Sequence, residues 1–77
     1  MTNIAKILTE KKRAESLYPT FPADPIHMLA VMAEESGEAV RAALNMVYHG
    51  GSVDEVRKEL VQTGAMVLRC LEGLEGE

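Results

Sequence analysis

Glu34-Glu35-Ser36-Gly37-Glu38 puts three carboxylates within about one turn of a predicted helix, because residues three and four apart on a helix are neighbours. Like charges so placed repel, so the cluster is either a solvated edge or a cation site. On the next predicted helix Glu59 and Gln62 stand three apart and share a face with Glu55 and Met66. Counted from the helix ends that flank the Gly50-Gly51 turn, Tyr48 and Val53, Glu38 lies about ten residues back and Gln62 about nine forward, which at ~1.5 Å per residue brings them to similar height. Oxygen-bearing side chains can then meet across one helix pair, and carboxylates with water and substrate phosphates are what octahedral Mg²⁺ requires. Glu-rich helix faces are usually only solvated. Against that stand the apolar character of the rest of the helix and the second acid at matching height.

These residues are positioned by three predicted helices. The first spans Asn3 to about Tyr18, with Ile4, Ile7, Leu8, Ala14 and Tyr18 at helical spacing. Pro19, Pro22 and Pro25 punctuate the connection that follows, since proline cannot continue a helical ladder. The second begins with Asp24 as N-cap and Pro25 at the first helical position, and runs to about Tyr48. It carries two apolar stripes: Ile26, Leu29, Ala30, Ala33, Val40, Leu44 and Val47, and beside them Met28, Met32, Ala39, Ala43 and Met46. A three-helix monomer covers only one such stripe well. Gly37, between the acids, would let another backbone come close. His49-Gly50-Gly51 ends this helix and Ser52-Val53-Asp54-Glu55 opens the third. There Val53, Val56, Leu60, Val67, Leu71 and Leu74 form a seam of the kind helices use to pack, and fraying is expected near Gly73 and Gly76.

Composition bounds the function. The 77 residues suffice for one domain, 1–77, with no repeat or internal boundary. A domain this small buries only about 60% of its extended-chain surface, so an oligomer is expected. The net charge of −4 and an aromatic content of 4% argue against a basic or stacking surface for nucleic acid. Met1 to Ala14 shows no apolar run of signal-peptide type, and no segment approaches the ~18 apolar residues of a membrane span. The single cysteine, Cys70, excludes an internal disulfide and suits a reducing, cytoplasmic setting. The expected fold is all-α: an antiparallel helical hairpin plus an N-terminal helix, completing a four-helix-type bundle by oligomerisation.

The chain resembles the MazG-like all-α nucleoside triphosphate pyrophosphatases. Their Glu-Glu-x-x-Glu motif is complete as Glu34-Glu35-Ser36-Gly37-Glu38, and their Glu-x-x-Asp motif is Glu59-Leu60-Val61-Gln62, with Gln in place of Asp. The proline-rich approach, the run Met28 to Ala33 and Ala39-Val40-Arg41-Ala42 extend the likeness over most of the chain. The resemblance implies a metal-dependent hydrolase that cleaves a nucleoside triphosphate between the α and β phosphates, releasing a monophosphate and pyrophosphate. It implies Mg²⁺, with Mn²⁺ as a substitute, on Glu35, Glu38, Glu59 and Gln62. Glu34 would be a further ligand or, like Glu38, would act on the attacking water. Gln62 can still ligate through its amide oxygen, but it removes one negative charge. The family commonly has a further helix after the second motif; here either a partner chain supplies that wall or the substrate site is reduced.

Arg41 and Asn45 continue the acidic stripe as candidate phosphate contacts, with Lys58 beside them as a candidate on the third helix; Arg41 equally suits an ion pair with Glu38. Lys11, Lys12 and Arg13 read as a wet helix face. Tyr18 and Phe21 read as core caps, or as aromatics that pack on a base. His27 and His49 have no ligand partner at metal spacing. Two rivals to the enzyme remain: a catalytically impaired MazG-like module that binds a nucleotide or protein, and a helical dimer whose acidic edge does no chemistry.

Overall fold

The structure, a computed structural model, describes residues 1–76; Glu77, the end of the 1–77 domain expected from sequence, lies outside them. Three helices follow one another: α1 (Asn3–Leu17), α2 (Pro25–His49) and α3 (Val53–Gly73). The all-α class expected from sequence is what is observed. Each start is set by its cap. Thr2 accepts a hydrogen bond from the Ala5 amide at 3.1 Å, Asp24 from Ile26 at 3.0 Å and Ser52 from Glu55 at 3.2 Å. Gly50 ends α2 in the left-handed region, at φ 71°, and the Gly51 amide closes on the Asn45 carbonyl at 2.9 Å. That turn is short enough to make α2 and α3 antiparallel neighbours.

The central element is α3. It packs on α2 along one side and on α1 along another, whereas α1 and α2 do not approach one another. Near the start of α1 Ile7 lies beside Gly64, and just past its end the Tyr18 carbonyl accepts from Arg69 at 2.8 Å, while the long Lys11 side chain reaches Glu72 at 2.8 Å. The two helices are therefore parallel. Small residues permit this double packing. Ala65 has no exposed surface, and a Cβ on Gly64 would lie 2.9 Å from Ile7 Cδ1. On the α2 side, Met28 is 2% exposed, its carbonyl accepts from Cys70 Sγ at 3.5 Å, and its methyl group fills the place a Cβ on Gly73 would take. Burial pushes the Cys70 thiol above its ordinary pKa, as expected for a small apolar filler.

Of the two apolar stripes on α2, the methionine–alanine one is covered, with Met28 and Ala39 buried and Met32 and Ala43 half-buried. The other is open, from Ile26 at 80% exposed to Val47 at 64%. The α3 seam differs from expectation: Val53, Leu60, Val67 and Leu71 are exposed, and the packing face is instead Val61, Ala65, Met66, Leu68, Arg69 and Cys70. Apolar spacing on α3 marks the seam, but the small residues on the opposite side admit two neighbouring helices. Helical periodicity puts the open α2 stripe opposite Glu35 and the α3 seam opposite Gln62 and Arg69 on their helices, with Leu60 of the seam also bordering a groove between α1 and α3.

Gly64→Val inserts branched bulk against Ile7 and is expected to destabilise the fold by about 1–3 kcal/mol in thermal or urea unfolding. Gly64→Ala should cost less, because its gain in helix propensity of up to ~1 kcal/mol offsets part of the clash. Equal stability of the valine variant and the parent would show that α1 does not dock there.

Candidate functional site

Because α1 and α2 both lean on α3 without touching, a cleft opens between them with α3 as its floor. Its central recess, of about 430 Å³, has Glu10, Arg13 and Ala14 of α1 on one wall and Val31 and Glu35 of α2 on the other. Gln62, Met66 and Arg69 form the floor, and Tyr18, Thr20, Phe21 and Pro22 close one end. Toward the Gly50-Gly51 turn a smaller recess of about 200 Å³ holds Glu38, Arg41, Asn45, Glu55 and Glu59. The antiparallel pairing thus sets Glu35 with Gln62 in one recess and Glu38 with Glu59 in the next, about one turn apart on each helix.

Glu35 is the electrostatic centre. Its carboxyl is raised above the ordinary value first by desolvation, then by the negative charges of Glu59, Glu34, Glu38 and Glu10. Every charged neighbour acting on it is another carboxylate. Among the described residues, none of Glu34, Glu35, Glu38 and Glu59 has a cation at ion-pair distance. Glu10 is held instead by a two-pronged contact from Arg13, at 2.8 and 2.7 Å.

This donor set suits a hard divalent cation, being all oxygen, mostly anionic and electrostatically unbalanced. It is not gathered round one point: among the described residues no group of three or more His, Cys, Asp and Glu side chains is placed to hold a metal. Holding one would require side-chain rotation, which exposed or half-buried glutamates on adjacent turns allow.

The other candidates divide. Arg41 and Asn45 share the Glu38–Glu59 recess, and Arg41 is exposed, without an ion pair to Glu38 among the described residues. Glu34 is exposed and lines neither recess, acting on Glu35 through its charge. Lys58 lies around α3, in an α1–α3 groove of about 790 Å³ with Lys6, Arg13 and Arg57. That groove meets the central recess at Glu10, Arg13 and Gln62. Of the basic run on α1, Lys11 is a clasp to Glu15 and Glu72, which raise its pKa by hydrogen bonding, rather than a wet face.

Two charged residues of the cleft have no place in the sequence reading, Glu10 and Arg69. Glu10 arrives only through the docking of α1 on α3, which no local spacing encodes. Arg69 had a signal: it follows Gln62 by seven residues and Met66 by three, hence on one helix face.

No protein-family model, curated protein or solved structure matches this chain. Among the described residues, no helix is long and apolar enough to cross a membrane.

The raised pKa of Glu35 has a definite linkage sign. The folded state holds the proton to higher pH than the unfolded chain, so stability falls as pH rises from the ordinary carboxylate range through the raised value. Glu35→Gln should therefore raise the melting temperature near neutral pH, with the difference fading below the ordinary carboxylate pKa. Mg²⁺ should raise the melting temperature of the parent more than that of the variant. A parent no less stable than Glu35→Gln at neutral pH would contradict the unbalanced cluster.

Proposed function

We propose that this chain is a Mg²⁺-dependent nucleoside triphosphate pyrophosphohydrolase, forming a nucleoside monophosphate and pyrophosphate. The observation that carries the reading is Glu35, partly desolvated among four other carboxylates and sharing the central recess with Gln62 of its floor. A solvated helix edge has no need of acids from three helices. The likeness of Glu34-Glu35-Ser36-Gly37-Glu38 and Glu59-Leu60-Val61-Gln62 to the MazG-like motifs supplies the reaction.

In this reading Glu35, Glu38 and Glu59, with the Gln62 amide oxygen, hold the cation. Bound there, Mg²⁺ or Mn²⁺ supplies charge neutralisation at the phosphates and a more acidic water. The chain's own residues do the rest. Glu34 or Glu38 accepts the proton of the water that adds to the α phosphorus, and the bond to the bridging oxygen breaks toward pyrophosphate. Arg41 and Asn45, in the recess of Glu38 and Glu59, are within that site to orient phosphate oxygens. Lys58 acts from the adjoining groove. Single-cysteine composition favours a cytoplasmic setting.

The open α2 stripe and the α3 seam support a homodimer or homotetramer that completes a four-helix arrangement on the side away from the cleft. Sedimentation should show an oligomer, and Leu44→Lys combined with Leu71→Lys should reduce it to a monomer. A parent that is monomeric at high micromolar concentration would remove the oligomer from the proposal.

A second reading, a catalytically impaired MazG-like module that binds a nucleotide or a protein, is favoured by Gln62 and by the dispersed ligand set. Incubation with ribo- and deoxyribonucleoside triphosphates and Mg²⁺ or Mn²⁺ separates the two. The enzyme gives monophosphate and pyrophosphate, with at least ~100-fold loss in Glu38→Gln, the scale of a lost acid–base group. Nucleotide binding without turnover supports the module instead.

A further inference from the structure

Arg69 is 6% exposed, yet it has no carboxylate at ion-pair distance among the described residues. A buried charge without a counter-charge is costly unless hydrogen bonds compensate. Its one hydrogen bond runs from Nη2 to the Tyr18 carbonyl at 2.8 Å, and its guanidinium lies 4.6 Å from the Phe21 ring centroid. No fully buried side-chain nitrogen is left without a partner among the described residues, so the remaining donors keep access to the recesses that Arg69 lines. The planar fork makes this specific. Whichever Nη2 hydrogen Tyr18 takes, one complete pair of parallel N–H donors remains on the other edge. Arg69 lies seven residues, ~10 Å, along α3 from Gln62, at the aromatic end of the central recess and away from Glu38 and Glu59; Glu15 and Glu72, which line its other recess, are held by Lys11.

We propose that Arg69 determines base specificity, pairing through its free edge with a nucleobase that presents two adjacent acceptors. Guanine offers these at O6 and N7 and cytosine at O2 and N3, whereas adenine and uracil interrupt every such edge with a donor or a carbon. Phe21, Met66 and Thr20 form the surroundings of that base in the recess. The inference rests on the reading of the cleft as a nucleotide site and adds which nucleotides it takes.

The test is calorimetric binding of GMP, CMP, AMP and UMP to the full chain, with Mg²⁺ present. The parent should bind GMP or CMP about tenfold more tightly than AMP and UMP, the scale of one bidentate base contact. Removing one acceptor from the preferred ligand, as in the 7-deaza analogue of GMP or the 3-deaza analogue of CMP, should abolish that preference in the unmutated protein. Arg69→Lys keeps a cation for Tyr18 and Phe21 but loses the fork, and should equalise the bases while leaving AMP and UMP affinity unchanged. A merely structural Arg69 would weaken all four alike. Binding without preference, a preference for adenine or uracil, or a preference that survives both deaza substitution and Arg69→Lys overturns the assignment and leaves the nucleotide site standing. If neither monophosphates nor triphosphates bind the folded chain, the nucleotide reading fails and this inference with it.

Discussion

The double engagement of α3 is the constraint on which the rest depends. One helix has to present two packing faces, and a side chain of ordinary size at Gly64 or Ala65 would hold a neighbour too far off. With α3 in the middle, α1 and α2 are kept apart, and the space between them becomes a cleft instead of a core. The same arrangement leaves little to bury: the buried apolar side chains are only Ala14, Met28, Ala39, Ala65 and Cys70 among the described residues. Stability is accordingly carried by small residues, Met28 and a few polar clasps such as Lys11 with Glu15 and Glu72.

The cleft concentrates negative charge that the fold leaves unbalanced. Arg13 is spent on Glu10, Arg57 on Asp54 and Lys11 on Glu15 and Glu72, leaving the acids at the centre of the cleft facing each other. Such a field opposes folding slightly. Arg69 is the counterpart at the other end, a buried cation whose polar contacts are to backbone and an aromatic face. The cleft therefore has polarity along its length, with carboxylates toward one end and a buried guanidinium beside an aromatic ring at the other.

Legibility differed by element. The limits of α2 and the start of α3 were readable because Asp24-Pro25, Gly50-Gly51 and Ser52 act locally, through bonds spanning two to six residues, whereas the Thr2 cap of α1 went unread. The pairing of Glu38 with Glu59 was readable to within about a turn, since a short turn fixes antiparallel register. The packing face of α3 was misread from the Val53–Leu74 seam. Apolar spacing identifies a surface that wants cover, and it does not say whether the same chain or another supplies it.

The sequence by itself determined three helices, their caps, the hairpin and the acidic stripe, because each follows from chemistry within a few residues along the chain. Only tertiary structure decided that α1 runs parallel to α3, that Glu10 joins the acids, that Lys58 lies in a different groove from Arg41, and that Arg69 is buried. These depend on contacts between residues some fifty positions apart, where the fit of Ile7 against Gly64 and of Met28 against Gly73 selects one docking among many that periodicity alone allows.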